Sequence, residues 1–403
     1  MKVLVADKFE KSGLDGMAAL GVEVISEPDL KDDALQARIH ELGCEILVVR
    51  STKVTAGMIK GSHLALIIRA GAGYNTIDVT AASENGVYVT NCPGKNSQAV
   101  AELAFGLILA LDRHIPDNVI DLRAGKWNKK TYSKARGIHG RTLGLVGMGK
   151  IGQEMIIRAK AFGMNVVAFS RWMTPDVAAA LGIGRASSAE ELAQLSDIVS
   201  VHVSLTPQTK GLLGEKFFAA MQSGSYFINT SRAEVVDQAA LESAVKLKGV
   251  RAGLDVFEGE PSGGEGSYEG SLRTVQGIYG THHIGASTDQ AQEAVAMEVV
   301  RIVKEFLMTG SAPNVVNVQR TDLASHLLVV RHADRVGVLA HVLDVLRDEG
   351  MNVQEMENIV LGGAKAAIAQ ISVDKEPTPA TIIKIKKNSN VFDVSAMAIS
   401  RQA

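Results

Sequence analysis

Gly147-Met148-Gly149-Lys150-Ile151-Gly152 spaces three glycines as G-x-G-x-x-G, and its flanks constrain the fold more than the motif does. The TLGLV before it reads as a buried strand, and KIGQEMIIRAKAFG after it reads as a helix. A strand, a glycine turn and a helix N-terminus in that order make a dinucleotide site. The first glycine permits the tight turn, the second lets a pyrophosphate approach the backbone, and the third lets helix and strand pack closely. The helix N-terminus attracts the phosphate charge. The expected cofactor contacts are therefore Gly147, Gly149, Lys150, Ile151 and Gly152. At the end of the next strand, NVVAFS, a carboxylate would serve the ribose 2′-hydroxyl of NAD. Ser170 and Arg171 stand there instead, and a hydroxyl beside a guanidinium also suits a 2′-phosphate, which leaves NADP open beside NAD.

Around this motif the chain alternates short β-branched runs with helical stretches. Residues 3–6, 22–25, 46–49, 66–68 and 87–89 precede the motif; NVVAFS, DIVSVHV, SYFINT and VRAGLDV follow it. This rhythm predicts βαβ units and parallel sheets. Residues 97–114 carry a long apolar stripe starting at Ser97, a plausible helix cap. The apolarity from Ala99 to Leu111 predicts burial between subunits, hence a homodimer or homotetramer. SGGEGSYEGS (262–271) reads as loop, 289–309 as an amphipathic helix, and SAPNVVNV as a linker. Beyond it the pattern becomes β-α-β-β-α-β, the order of a ferredoxin-like sandwich.

The size, 403 residues, exceeds what one hydrophobic core serves, so two or three domains are expected. A net charge of −2 gives no electrostatic ground for nucleic-acid or membrane partners. Cys44 and Cys92 have no metal-ligand spacing, so no metal is expected and a reducing, cytoplasmic setting fits. The start, MKVLVADKFE, turns polar too early for a signal-peptide core.

After the glycine motif, three segments bring polar groups to the carboxyl ends of expected strands, where open α/β sheets bind ligands. They are INTSRAEVVD, GLDVFEGEP and THHIGAST, and they supply Arg232, Glu260 and His283. Each alone has a plainer reading: a helix cap, a solvated loop acid, a buried structural histidine. Together, beside a nicotinamide, they are what hydride transfer at an alcohol carbon needs. The arginine grips a carboxylate and polarises the carbonyl, the histidine takes the hydroxyl proton, and the glutamate holds the imidazole ring.

SRAEVVDQAAL, LDVFEGEP and HHIGAST resemble the signature segments of the D-isomer-specific 2-hydroxyacid dehydrogenases. The resemblance implies a catalytic set of Arg232, Glu260 and His283, with His283 rather than His282 as the base. It also implies cofactor contacts from Thr230, Ser231, Arg232, Asp255, His283 and Gly285, with Asp255 at the nicotinamide carboxamide. LVVRSTKVT, IIRAGAGYNTID and NCPGKNSQAVAELAFGLILAL are similar to the phosphoglycerate dehydrogenases of that family. This implies a small phosphorylated 2-hydroxy acid as substrate, oxidised in the first step of serine synthesis. Arg50, Ser51, Gly71, Ala72, Gly73, Arg232 and His283 would contact it. Two departures, the shortened R-S-T-K-V-T and Tyr74-Asn75-Thr76, fall at the substrate loops. With Ser170-Arg171 they keep an NADP-dependent hydroxypyruvate or glyoxylate reductase as an alternative; a nucleotide-sensing corepressor-like binding protein is a second, of another class.

VRHADRVGVLAHVLDVLRDEG and the residues after it resemble an ACT domain, which implies an amino-acid effector at the loop His332–Gly337, where Asp334 and Val336 depart from the usual pattern. The expected fold class is therefore α/β: two doubly wound parallel-sheet domains plus a C-terminal α+β ferredoxin-like ACT domain. A flavodoxin-like substrate domain takes residues 1–96 and 284–316, a Rossmann nucleotide-binding domain 97–283, and the ACT-like domain 317–403.

Overall fold

The computed structural model describes residues 1–261, 265–318 and 323–399. Two compact units divide the chain, Met1–Asn317 and Val318–Ala403. The larger contains two parallel sheets. Strands β1 (Lys2–Val5), β2 (Glu23–Ser26), β3 (Ile46–Val49), β4 (Leu66–Arg69) and β5 (Tyr88–Asn91) form the first, in the order β2-β1-β3-β4-β5. The second contains β6 (Thr142–Val146), β7 (Asn165–Phe169), β8 (Gly184–Arg185), β9 (Ile198–Val201), β10 (Tyr226–Asn229), β11 (Arg251–Leu254) and β12 (Ile278–Gly280). Its order, β12-β11-β10-β9-β6-β7-β8, is the doubly wound arrangement around β6. β3 and β9 are buried at every residue, as strands covered by helices on both faces must be, which is why they read as apolar runs, β9 broken only by Ser200.

The helix Ser97–Arg113 departs from expectation twice. Its cap is Asn96, without a side-chain bond; Ser97 is the first helical residue, and its hydroxyl donates to the Gly94 carbonyl at 2.9 Å. The stretch expected at a subunit interface lies inside the chain: Ala101, Ala104, Leu107, Ile108 and Leu111 are buried in one core with Leu143, Met155 and Ile228. Exposed apolar side chains occur instead just beyond this helix, at Ile115, Ile120, Leu122 and Trp127. Residues 312–317 are no free linker, since Val315 bridges Thr90 and the Asn317 side chain binds the Val89 and Val87 backbone. The glycine-serine segment is irregular over 265–270, and residues 262–264 lie outside the described residues.

Helix Asp289–Thr309 returns the chain to the first sheet, where it packs on helix Lys11–Ala18. Close approach requires a glycine: a Cβ at Gly16 would stand 2.8 Å from Val300. On the same helix the buried Glu298 accepts from Arg301 Nη2 at 2.6 Å and Asn314 Nδ2 at 2.8 Å, with Lys95 Nζ at 3.2 Å. The Arg301 bonds, opposed by burial and helped by Asn314 and Lys95, hold its carboxyl down to about 2.

In the second unit, β13 (His326–Ala333), β14 (Val353–Val360), β15 (Ala366–Val373) and β16 (Val391–Ala398) make an antiparallel sheet, β14-β15-β13-β16. Helices Val338–Asp348 and Pro379–Lys386 complete the β-α-β-β-α-β order of a ferredoxin-like sandwich. No helix among the described residues is long and apolar enough to cross a membrane.

Because Glu298 titrates lower folded than unfolded, its contribution is full above pH about 4.5 and is lost as pH falls toward 2. Glu298→Ala should cost about 3 kcal/mol at pH 7 by urea unfolding, since it leaves Lys95 and Arg301 without their shared partner. The deficit against the parent should shrink on acidification; a constant difference from pH 7 to 3 would contradict the assignment.

Candidate active site

Each glycine of the fingerprint has a distinct steric reason. Gly147 follows β6 with φ +98°, and a Cβ there would lie 2.5 Å from the His202 carbonyl oxygen. A Cβ at Gly152 would meet the Gly147 carbonyl at 2.6 Å, which is the close packing of helix on strand. Gly149 has nothing within 4 Å of its Cβ position, so the turn is open where a pyrophosphate would approach. Gly149 caps helix Lys150–Ala161 without a side-chain bond, leaving the first-turn N–H groups of Ile151 and Gly152 for an anion. These residues fit a dinucleotide. Past β7 the Ser170 hydroxyl accepts from the Trp172 N–H at 3.4 Å, and the exposed Arg171 guanidinium lies 5.1 Å from the Trp172 ring centre. Both side chains stand at the strand end where the ribose is expected, with no carboxylate between them. Among the described residues no group of three His, Cys, Asp or Glu could hold a metal ion.

On the carboxyl side of the same sheet, Asp255 follows β11 and is 1% exposed. Its Oδ1 accepts the Thr281 hydroxyl at 2.6 Å and the Ile284 N–H at 2.9 Å; its Oδ2 accepts the Gly285 N–H at 2.8 Å. A fourth bond, from the His283 N–H to the Asp255 carbonyl at 2.9 Å, holds His283 at φ +51°, a left-handed conformation that costs a β-carbon residue about 1 kcal/mol or more. Three of the four acceptor positions of Asp255 therefore organise the loop, and one on Oδ2 remains for the expected nicotinamide contact.

His283 Nδ1 lies 2.7 Å from Glu260 Oε2, and Glu260 Oε1 accepts the Phe257 N–H at 2.6 Å. A carboxylate accepts only, so Nδ1 carries the proton and Nε2 presents its lone pair. Burial pushes the Glu260 carboxyl up, yet the His283 and Phe257 bonds and the His283 and Arg232 charges outweigh it, and the net shift is downward. Glu260 thus stays ionised through neutral pH.

Arg232 leaves β10 on a turn that Asn229 clamps. The Asn229 side chain takes the Ser231 N–H and hydroxyl at 2.9 and 2.8 Å and donates to the Arg232 carbonyl at 3.0 Å. Thr230 and Ser231 are buried, and the Thr230 hydroxyl has no partner. Across the cleft, a Cβ at Gly73 would run into Arg232 Nη2, so this glycine admits the guanidinium. Gly71 does the same for Arg69, whose Nη1 occupies the space beside it. The Ala72 carbonyl is taken by the Asn91 side chain at 2.5 Å.

Arg50 and Ser51 follow β3. Asp7, at the end of β1, takes the N–H groups of Arg50, Ser51 and Thr52 at 2.6, 3.1 and 3.1 Å and the Ser51 hydroxyl at 3.1 Å. Arg50 Nη1 donates to Gln292 at 2.5 Å. The expected residues at Arg50, Gly71–Gly73, Arg232, Glu260 and His283 thus converge on one side of the larger unit, while Ser51 donates inward. Sequence reasoning passed over Asp7, Arg69, Asn229, Thr281 and Gln292; the only local signal was that each of the first three stands at a strand's carboxyl end. In the second unit, His332 is spent internally, with Nδ1 2.8 Å from the Ala333 carbonyl and Nε2 3.1 Å from Asn358 Oδ1, while Val336 of the same loop is fully exposed.

Residues 105–285 match the model of the D-isomer specific 2-hydroxyacid dehydrogenase NAD-binding domain. The chain is 38% identical to the D-3-phosphoglycerate dehydrogenase of Methanocaldococcus jannaschii over 320 residues, 79% of this chain, and it spans 59% of that relative's length. It is 42% identical to the hydroxypyruvate reductase of Thermotoga maritima over 289 residues, 71% of this chain and 91% of that one. Among solved structures, the NAD+-bound 3-phosphoglycerate dehydrogenase of Entamoeba histolytica superposes with a TM-score of 0.66 at 25% identity, covering 79% of this chain and 99% of that one.

Gly149→Ala should leave thermal stability unchanged and weaken NADH binding about tenfold or more, because its Cβ enters only the ligand's space. Gly152→Ala should lower both, since its Cβ meets backbone. Fluorescence titration and a melting curve for each variant separate the two; equal affinity in Gly149→Ala and the parent would contradict the cradle.

Proposed function

The chain belongs to the D-isomer-specific 2-hydroxyacid dehydrogenases, and on that premise we propose that it oxidises D-3-phosphoglycerate to 3-phosphohydroxypyruvate, the entry step of serine synthesis. The observation that carries the chemistry is the His283–Glu260 contact of 2.7 Å, which leaves Nε2 as the base. Bound NAD would supply the hydride acceptor, held at Gly147–Gly152, Thr230 and Asp255. Arg232 places the substrate carboxylate and, in the reverse direction, polarises the C2 carbonyl oxygen for hydride addition. As hydride leaves C2, His283 Nε2 takes the hydroxyl proton, and the Glu260 carboxylate stabilises the imidazolium that forms. In the reverse direction the same imidazolium returns the proton.

The phosphoglycerate reading is supported by the relatives of that name and by the cationic first-sheet edge, where Arg50 and Arg69 stand. Hydroxypyruvate reduction is the second reading, supported by the Thermotoga maritima relative and by Ser170-Arg171, which suits NADPH. A homo-oligomer would bury the exposed Ile120, Leu122 and Trp127. The buried Cys44 and Cys92 thiols, which burial pushes up to about 11 and 12, stay protonated and suit a reducing cytoplasm.

Steady-state rates on D-3-phosphoglycerate and hydroxypyruvate with each cofactor test the two readings: the first requires turnover of the phosphorylated acid, and its absence would sink it. His283→Ala should lower kcat by about 10²- to 10⁴-fold. Glu260→Gln should lower kcat by about 10- to 100-fold with KM little changed, because a neutral amide no longer stabilises the imidazolium that forms during proton transfer.

A further inference from the structure

The glycine-serine segment that follows Glu260 folds back onto the residues that hold its carboxylate. A Cβ at Gly266 would lie 2.8 Å from Pro261, and the Tyr268 ring packs on Phe257 with ring centres 5.2 Å apart. Phe257 is also confined by the end of β12, since a Cβ at Gly280 would stand 2.7 Å from its ring. The Phe257 N–H is the group that donates to Glu260 Oε1, so Tyr268 braces the residue that fixes the carboxylate. A side chain at Gly270 would run into the Tyr268 hydroxyl, so this glycine makes the room in which the hydroxyl sits. That hydroxyl is buried and has no hydrogen-bond partner among the described residues, although the side chain as a whole is only partly buried. Burial pushes it up, and the charges of Glu260 and then Glu258 add to this, so it keeps its proton and remains a donor.

A buried hydroxyl without a partner costs stability that a phenylalanine at the same place would not. Glu260 has the complementary lack: Phe257 and His283 take one acceptor position on each of its oxygens, and two of its four remain. We propose that Tyr268 is a positioning residue for proton transfer, whose hydroxyl donates to the Glu260 carboxylate as the His283 ring takes up charge. A second donor on the carboxylate keeps it ionised and aligned while the imidazolium exists. It opposes passage of the Nδ1 proton from His283 to Glu260, and the ring therefore remains the group that returns a proton to the substrate. In this role Tyr268 acts through Glu260 and not on the substrate. This rests on the hydroxyacid dehydrogenase reading above and deepens the account of its acid–base pair.

Tyr268→Phe tests this in the full chain, because it keeps the ring on Phe257 and removes only the hydroxyl. We would measure kcat and KM on D-3-phosphoglycerate and on hydroxypyruvate, together with NADH binding and the melting curve. Tyr268→Phe should lower kcat about tenfold with KM and NADH affinity within about twofold, and it should melt no lower than the parent, since it deletes an unsatisfied buried group. Placed in a Glu260→Gln background, the same substitution should change kcat by less than about twofold, because the group through which it acts is gone. Parent kcat in Tyr268→Phe, an equal loss in both backgrounds, or a loss that accompanies a lowered melting temperature would overturn the role of Tyr268 alone. A parent that turns over neither acid would overturn the proposed function and this role together.

Discussion

One buried carboxylate sets the geometry of the catalytic edge. Asp255 accepts from Thr281, Ile284 and Gly285, and its own carbonyl takes the His283 N–H. Four bonds to one residue offset the left-handed backbone of His283, which a short loop would otherwise relax. With the backbone held, the ring meets Glu260 and its second nitrogen is left to accept a proton. Gly285 completes the constraint: a Cβ there would lie 3.0 Å from Asp255 Oδ2 and 3.5 Å from Val100 of the long helix Ser97–Arg113. The loop therefore packs closely against that helix, at a position only glycine fills without a shift. His283, the proposed base, is half-exposed, and its loop is held by a neighbour that is almost wholly buried.

The fold was legible wherever burial imposes a pattern. Strands covered on both faces are mainly apolar, and β3, β4, β6 and β9 read as such apart from Arg69, Thr142 and Ser200; β8, two exposed residues long, carries no pattern to read. Helix Ile115–Arg123 has no buried residue, so the apolar positions Ile115, Val119 and Leu122, though at helical spacing, report no core. The long helix misled in the other direction. All-round apolarity reports that a helix is surrounded, not by what, and here the surroundings are the chain's own second sheet and helix Lys150–Ala161.

At the site, legibility followed chemistry that is local in sequence. The glycine turn, and the segments with Arg232, Glu260 and His283, each carry their information within about ten residues. Asp7 does not: it reaches Arg50, Ser51 and Thr52 across more than forty residues, because parallel strands β1 and β3 are neighbours whose carboxyl ends meet. Ser51 was expected to face substrate, yet its hydroxyl points its proton at Asp7, and only the pairing of those strands reveals this. Gln292 is more remote still, since it belongs to the helix that returns to the first sheet after the second is complete.

The glycine loop is the case where sequence and structure give different reasons for the same residues. Read as sequence, Gly71-Ala72-Gly73 offers bare amides to a carboxylate. In the structure the two glycines also make room for cations: a side chain at Gly71 would occupy the place of Arg69 Nη1, and one at Gly73 that of Arg232 Nη2. Gly71 has a second constraint, φ +149°, which side chains rarely adopt. The loop is therefore a spacer between two guanidiniums, one from each sheet, and its smallness sets how closely they approach. Repulsion between two guanidiniums held this way is relieved when a negative charge lies between them.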